Sequence, residues 1–462
     1  MKEIDTAKNE RELFDKEKLA EILGIDLENI LNLPTEPPEH RSVGIIGTAG
    51  HVDHGKSTLT QALTGKFPAT YSEELIRGIT IKLGYSHLDI MLCLNEKIPN
   101  CLVSNVNPKC KGRKKPRHLR CYSILDHPGH EILISTMLSG ASIIDYGLVV
   151  IAANEPCPMP QTREHVMALQ AMGVKDIIVV QNKIELVSKE KAFENYKQIV
   201  DFFENNTEYG VPPIIPASAA LRVNIDLVLA AILQYFKPKE IKKRGDPLMY
   251  IARSFDPNLP GTDPDKLIGG AVGGALKQGE LKIGDEIEIR PGFISEKGEI
   301  IPLYSEVADI RTDGGHRLEK ALPHALIGVA TYLDPGLTKR DLLIDPRYIR
   351  GSSVANILRG NVLGKPDRLP PLVKDLRVKN LYMLPKIVGT KVEVKNYPLR
   401  KGEKVLVNVG TNINLGVVTE CEDDSAEISL LHPISIPKGE TIVFSRQIER
   451  EYRLVGYGTV DY

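Results

Sequence analysis

Lys56 and Ser57 close the stretch Gly50-His51-Val52-Asp53-His54-Gly55-Lys56-Ser57, which continues into Thr58. Its pattern, G-x-x-x-x-G-K-S, lies between the apolar run Val43-Gly44-Ile45-Ile46 and the helix-like run Leu59-Thr60-Gln61-Ala62-Leu63. A strand before and a helix after turn this pattern into a phosphate loop. Its glycines let backbone N–H groups converge on an anion, and the helix N-terminus adds partial positive charge. Residues 50–58 are therefore expected to cradle a nucleoside triphosphate. Lys56 would reach the β- and γ-phosphates and the Ser57 hydroxyl would hold Mg²⁺.

Three further stretches narrow the chemistry. Asp126-His127-Pro128-Gly129-His130 ends an apolar run, 123–125. Asp126 is placed to hold the metal through water, and the Gly129 N–H to meet the γ-phosphate. His130 would then stand near an attacking water, or be an ordinary surface histidine. Asn182-Lys183-Ile184-Glu185 follows the apolar run 177–181. There an amide can bond a purine edge, and a carboxylate can accept from guanine N1 and N2. Lys183 would cover the base, and Ser218-Ala219 would offer a backbone N–H to guanine O6. Adenine would leave Glu185 unpaired, so the set favours guanine. Thr80, in Arg77-Gly78-Ile79-Thr80, is placed as a second hydroxyl on Mg²⁺ in a loop that orders with the γ-phosphate. The order GKS, T, DxxG, NKxE and SA reads as a GTPase.

The elements that must position these residues follow from the alternation downstream. Short apolar runs at 123–125, 146–152, 177–181 and 211–217 alternate with helical patterns at 131–139, 161–172, 191–203 and 224–236. This implies a mostly parallel sheet with helices on both faces and a ligand beyond the strands' carboxyl ends. After the basic linker 237–246, the texture changes to short β-rich runs split by Gly, Pro and Asp. That pattern suits closed β-barrels. The expected fold is an α/β P-loop GTPase domain, 41–240, followed by two all-β barrel domains, 247–365 and 366–462. Residues 1–40 form an N-terminal extension, expected to pack partly ordered on the body.

Bulk properties set limits. The chain has 462 residues and a net charge of −1, so any nucleic-acid contact must come from local patches. No apolar run approaches the roughly 20 residues that span a bilayer, and no secretory pattern opens the chain. Six cysteines in this length do not make a disulfide framework. A cytoplasmic protein without membrane partners is expected.

With those motifs in view, the chain resembles the translational GTPases: GHVDHGKST, RGIT, DHPGHE, QNKIELV and the SA element all fit. Its domain plan resembles elongation factor Tu. The fit is closer to the gamma-subunit family of eukaryotic and archaeal translation initiation factor two. ITIKLGY, MLSGA, QTREHVMALQ, RSFDPNLPG, GGAVGG, LKIGDEIEIRPG and RLVGYGTV carry that likeness over roughly residues 42–462. The resemblance implies a GTP/GDP switch with Mg²⁺ that binds initiator methionyl-tRNA and delivers it to the small ribosomal subunit. It also implies alpha and beta subunits as partners, with GTPase-activating and nucleotide-exchange factors. Val52 and Ile79 resemble the apolar gate that screens water from the catalytic His130. Tyr85, Arg253, Gly269 and Gly270 match the region receiving the aminoacyl end, although such glycines also serve tight strand packing. No arginine finger is evident near Asp126, so rapid hydrolysis needs a partner or the ribosome. Two related plans compete: a selenocysteine-specific elongation factor, usually with a further C-terminal domain, and the GTPase subunit of sulfate adenylyltransferase.

Departures from the family pattern mark places to test. Glu185 stands where Asp is usual, and its extra methylene should loosen guanine selectivity without abolishing it. His127 stands where Ala or Cys is frequent, either as a surface side chain or as a second imidazole perturbing hydrolysis. The insert at about 93–121 carries Cys93, Cys101, Cys110 and Cys121 without any C-x-x-C pair, so zinc is not expected there. The same insert holds Lys109, Lys111, Arg113, Lys114, Lys115, Arg117 and Arg120. They read as a solvated loop or as a weak, salt-dependent nucleic-acid contact.

Overall fold

A computed structural model describes residues 16–34, 41–68, 83–94, 100–106, 110, 115–129, 134–241, 245–258, 261, 263, 265, 268–294, 299–339, 358–387, 394–448 and 451–462. The chain begins there with two short helices, α1 (Lys16–Ile22) and α2 (Leu27–Leu31). Next come β1 (Ile45–Ala49), α3 (Lys56–Thr64), β2 (Gly84–Leu92), β3 (Leu102–Ser104) and β4 (Arg117–Asp126). The α/β part is completed by α4 (Ile134–Ala141), β5 (Tyr146–Ala152), α5 (Pro160–Ala171), β6 (Asp176–Asn182), α6 (Lys189–Asn206), β7 (Ile214–Pro216) and α7 (Ile225–Tyr235).

The seven strands form one sheet in the order β3-β2-β4-β1-β5-β6-β7. From β4 to β7 the pairings are parallel, whereas β2 and β3 run antiparallel at the edge. Central strands buried on both faces need apolar side chains throughout, and all five residues of β1 and all seven of β5 are buried. One face is covered by α3 and α7, the other by α4, α5 and α6. The parallel strands and helices expected from the alternation are present. β2 was not anticipated, because His87 and Asp89 interrupt its apolar pattern; both are drawn into polar contacts under the neighbouring barrel.

The amphipathic extension docks on α7. Leu19, Ala20, Ile25 and Ile30 are buried with that helix, Tyr235 Oη donates to Leu23 O at 2.6 Å, and Lys16 pairs with Asp226. Arg117 donates to Leu31 O at 2.6 Å and Arg120 to Leu233 O at 3.1 Å. These two basic residues thus lie in strand β4, tied to the helical layer, and not in a loop. Lys115 is exposed; Lys109, Lys111, Arg113 and Lys114 lie outside the described residues, as do 1–15 and 35–40.

Beyond the sheet, strands Leu248–Phe255, Ala271–Gln278, Glu286–Ile294, Ile300–Thr312, Leu326–Thr331 and Val362–Gly364 close into a barrel. A second barrel closes through Leu372–Met383, Lys404–Val409, Asn412–Cys421, Ala426–Ser435, Thr441–Ile448 and Glu451–Asp461. Polar links hold the three bodies together. Arg453 of the second barrel pairs with buried Glu164 of α5 at 3.3 Å, and Asn408 donates to Ser135 O at 3.1 Å. His324 of the first barrel lies 2.7 Å from Asp145, next to β5. Among the described residues, no helix is long and apolar enough to cross a membrane.

Candidate functional site

The loop after β1 turns sharply because Gly50 adopts φ 131° and Gly55 φ 91°, both disfavoured for side-chain-bearing residues. A Cβ on Gly50 would lie 2.2 Å from Val150 O, so the loop is pressed against the end of β5. Gly65, also left-handed, stops α3 by donating to Gln61 O. Lys56, Ser57 and Thr58 thereby form the first turn of α3, with the helix N-terminus aimed back at the loop. Val52 and Asp53 sit in the loop itself, Asp53 exposed and with φ 61°.

Two imidazoles anchor this loop from beneath. The Gly50 N–H donates to His165 Nδ1 at 3.1 Å, and His54 Nδ1 lies 3.1 Å from Val150 O. Burial lowers the pKa of His54 to about 3 and that of His165 well below its usual value. Both rings are neutral, so His165 can accept and His54 can donate. His51 packs edge-on against His54 at 5.3 Å. His165, four residues after Gln161 in α5, was not singled out as a site residue. Only its place on the buried face of a helix behind the loop identifies it.

Asp126, at the end of β4, is fully buried and accepts two hydroxyls. Thr48 Oγ1 donates to Oδ1 at 2.7 Å and Ser57 Oγ to Oδ2 at 2.6 Å. The two groups expected to share a magnesium ion therefore meet directly, and two hard oxygen donors side by side suit Mg²⁺. Lys56 Nζ donates to Gly50 O at 3.0 Å and to His51 O at 2.6 Å. Burial pushes its pKa down to about 8, against the opposing pull of Asp126 and Asp53. A Cβ on Gly129 would lie 2.3 Å from Lys56 Nζ and 3.0 Å from Val52 N. Gly129 thus brings its backbone against the same loop. Arg77, Gly78, Ile79, Thr80 and His130 lie outside the described residues.

His127 is not the surface side chain considered above. It is fully buried, and its Nδ1 lies 2.8 Å from Thr48 O. Burial, with the Lys56 charge adding to it, lowers its pKa to about 4. The neutral ring donates from Nδ1 and packs against Gly47 and Gly140, where added Cβ atoms would come within 2.8 Å and 2.3 Å of it. It is a filler between β1 and α4.

At the other end of the site, Asn182 is 2% exposed and ties three loops together. Its Nδ2 donates to His54 O at 2.9 Å, and its Oδ1 accepts from Ala219 N at 2.9 Å. A primary amide keeps one donor hydrogen and one acceptor lone pair beyond these. Ser218 N donates to Val223 O at 3.1 Å. Both N–H groups of Ser218-Ala219 are therefore engaged inside the protein. An incoming base takes the Ala219 N–H only in exchange for, or shared with, its Asn182 bond. Lys183 has φ 61° and opens the 3₁₀ turn Ile184–Leu186, on which Glu185 is exposed.

A cleft between β2 and the first barrel is lined by Lys66, Tyr85, Arg253, Phe255 and Gly273 among others. The Arg253 guanidinium lies over the Tyr85 ring at 4.9 Å. Gly269 and Gly270 answer the packing alternative. A Cβ on Gly269 would lie 1.9 Å from Thr331 O, and one on Gly270 2.4 Å from Thr338 Cγ2. Gly270 also exchanges backbone bonds with Thr331 and Leu333. Close packing therefore accounts for glycine at both positions, against the Thr331–Tyr332 backbone at Gly269 and the Thr338 side chain at Gly270.

The cysteines of the insert do not converge as four. Cys93 and Cys110 form a disulfide, while Cys101 and Cys121 are buried thiols.

Residues 39–238 match the family described as "Elongation factor Tu GTP binding domain", and residues 375–460 match "Initiation factor eIF2 gamma, C terminal". The translation initiation factor 2 subunit gamma of Pyrococcus abyssi is 46% identical over 90% of this chain and 96% of its own. That of Methanopyrus kandleri is 45% identical over 90% of this chain and 97% of its own. Among solved structures, a bacterial selenocysteine-specific elongation factor aligns with TM-score 0.65 and 21% identity, over 90% of this chain but 58% of that one. Elongation factor SelB from Methanococcus maripaludis, in complex with a GTP analogue, aligns at 0.64 and 21% over 91% and 79%. At that identity the likeness is one of fold alone.

Proposed function

Because the chain belongs to the translation initiation factor 2 gamma-subunit family and is a translation initiation GTPase, we propose that it carries initiator methionyl-tRNA to the small ribosomal subunit in its GTP state. The observation that carries the nucleotide part is the convergence of Lys56, Ser57, Asp126 and Gly129 on one loop, with Asn182 linking that loop to Ala219. Residues 50–58 with Gly129 bind the phosphates, and Asn182, Lys183, Glu185, Ser218 and Ala219 bind guanine. Ser57 and Asp126, with Thr80, would hold Mg²⁺, which neutralises charge developing on the phosphate oxygens. Backbone N–H groups and Lys56 orient the triphosphate, and His130 positions water behind the Val52 and Ile79 gate. The domain limits are 41–240, 247–365 and 366–462.

Arg253 stacked on Tyr85 supports the tRNA part. A guanidinium on an aromatic face, beside Lys66 in a cleft between domains, suits a phosphate or base at the end of a nucleic acid. The family also suggests alpha and beta subunits, GTPase-activating and exchange factors, and a cytoplasmic place of work. Filter binding with charged initiator methionyl-tRNA tests this reading. Retention with GTP but not GDP, and weaker retention after Arg253→Ala, is expected. Equal retention of selenocysteinyl-tRNA, or none of either, would overturn it.

A further inference from the structure

A second cluster of chemistry-bearing side chains lies at the seam between the α/β domain and the first barrel. In the β2–β4 register, Asp89 stands opposite Cys121 and His87 opposite Ser123. The two-residue period of a strand puts His87 and Asp89 on one face. His87 Nε2 lies 3.3 Å from Asp89 Oδ1 and 3.3 Å from Cys121 Sγ. Its other nitrogen, Nδ1, lies 2.9 Å from Oδ1 of Asp313, which reaches in from the barrel with a side chain only 2% exposed. His118 Nε2 holds Asp89 Oδ1 at 3.0 Å, and Asn105 bonds both His87 O and Asp89 N, pinning the strand.

We propose that His87 Nε2, an Asp89 carboxylate oxygen and Cys121 Sγ form a binding site for a divalent transition-metal ion of the zinc class. Asp313 is the carboxylate that orients the ligating imidazole. One nitrogen, one oxygen and one sulfur suit Zn²⁺. Metal–ligand bonds of 2.0–2.3 Å in a tetrahedron put neighbouring donors about 3.3–3.6 Å apart, the spacing seen around His87 Nε2. All three donor atoms lie within 4.8 Å of one another. A histidine whose second nitrogen meets a buried carboxylate is the arrangement that fixes a metal-binding tautomer. A water molecule would complete the coordination.

A metal takes the neutral imidazole and the thiolate, so binding displaces the thiol proton and any proton on Nε2. The site uses none of the disulfide cysteines of the insert, so it is a different ligand set from the four cysteines of the insert taken together.

The test uses the full chain, purified without chelator and loaded with Zn²⁺ or Co²⁺. Mass-spectrometric metal analysis should find one zinc per chain, and the cobalt form should show a thiolate-to-cobalt charge-transfer band, which Mg²⁺ at the nucleotide site cannot produce. Cys121→Ser and Asp89→Asn should abolish that band, whereas Cys93→Ser/Cys110→Ser should keep it. Asp313→Asn should weaken cobalt affinity about 10–100-fold while keeping the band. Substoichiometric zinc in the unsubstituted chain, or a cobalt band that survives Cys121→Ser, would overturn the proposal.

Discussion

The proposed phosphate end and the proposed base end of the nucleotide site are built differently. At the phosphate end, Asp126 is sealed between Thr48 and Ser57, and neutral His54 and His165 brace the loop from the buried side. At the base end, buried Asn182 holds the loops together, while Glu185 projects from an exposed 3₁₀ turn. The difference has a physical root. Charge on phosphate must be met by oriented donors in a water-poor setting, where each misplacement is expensive. In the proposed reading, base recognition would add selectivity at a rim where a carboxylate can move by a bond length and still find its partner.

The largest expected effect lies at the phosphate end. Asp126→Asn should lower Mg²⁺-dependent GTP hydrolysis by about 10²–10³-fold, the several kcal/mol a metal supplies, as measured by phosphate release. A loss under threefold would show that Asp126 only ties Thr48 and Ser57 together. Asn182→Ala should come next, because it strands the Ala219 N–H and His54 O. A cost of about 1–3 kcal/mol per buried group is expected in urea unfolding, with at least tenfold weaker GDP binding. An intact Tm and intact affinity would mean that the loops hold without it.

A pH series probes Lys56 by itself. Its folded pKa of about 8 lies below the ordinary 10.5, so in the free protein the ammonium loses its charge as pH rises through 8. Nucleotide affinity, measured by titration calorimetry, should fall across that interval. Stability of the free fold should gain from this group between pH 8 and 10.5, because there the unfolded chain binds more protons. Lys56→Met should remove both dependences.

The smallest effect is expected from Glu185→Asp. The residue is exposed, so stability should change by less than about 0.5 kcal/mol. The GTP-over-ATP preference should rise a few-fold in competition binding. An unchanged preference would detach Glu185 from the base and leave Asn182 as the main recognition element at that end.

Much of this was readable from residue types. Gly50, Gly55, Lys56 and Ser57 carry a local signal, since left-handed glycines and a helix start are properties of adjacent residues. The strands at 146–152 and 176–182 were readable because burial on both faces demands an apolar run. β2 was not, since its His87 and Asp89 look like solvent-facing residues until a barrel more than 220 positions away brings Asp313 onto His87. The surface alternative for His127 fails for the same reason: only the packing of α4 against β1 encloses it. At Gly269 and Gly270 the packing alternative became visible only once Thr331 and Thr338 were in place.

What the sequence by itself determined is the chemistry of the loop and its order along the chain, GKS, DxxG, NKxE and SA, together with the alternation that makes a parallel sheet. These depend on near neighbours and on hydrophobic period. Only the tertiary structure decided which polar groups are buried, which of their hydrogen bonds are already spent, and where β2 and β4 gather His87, Asp89 and Cys121 beside Asp313. Those depend on contacts between distant segments, and burial changes the energy of a polar group more than its identity does.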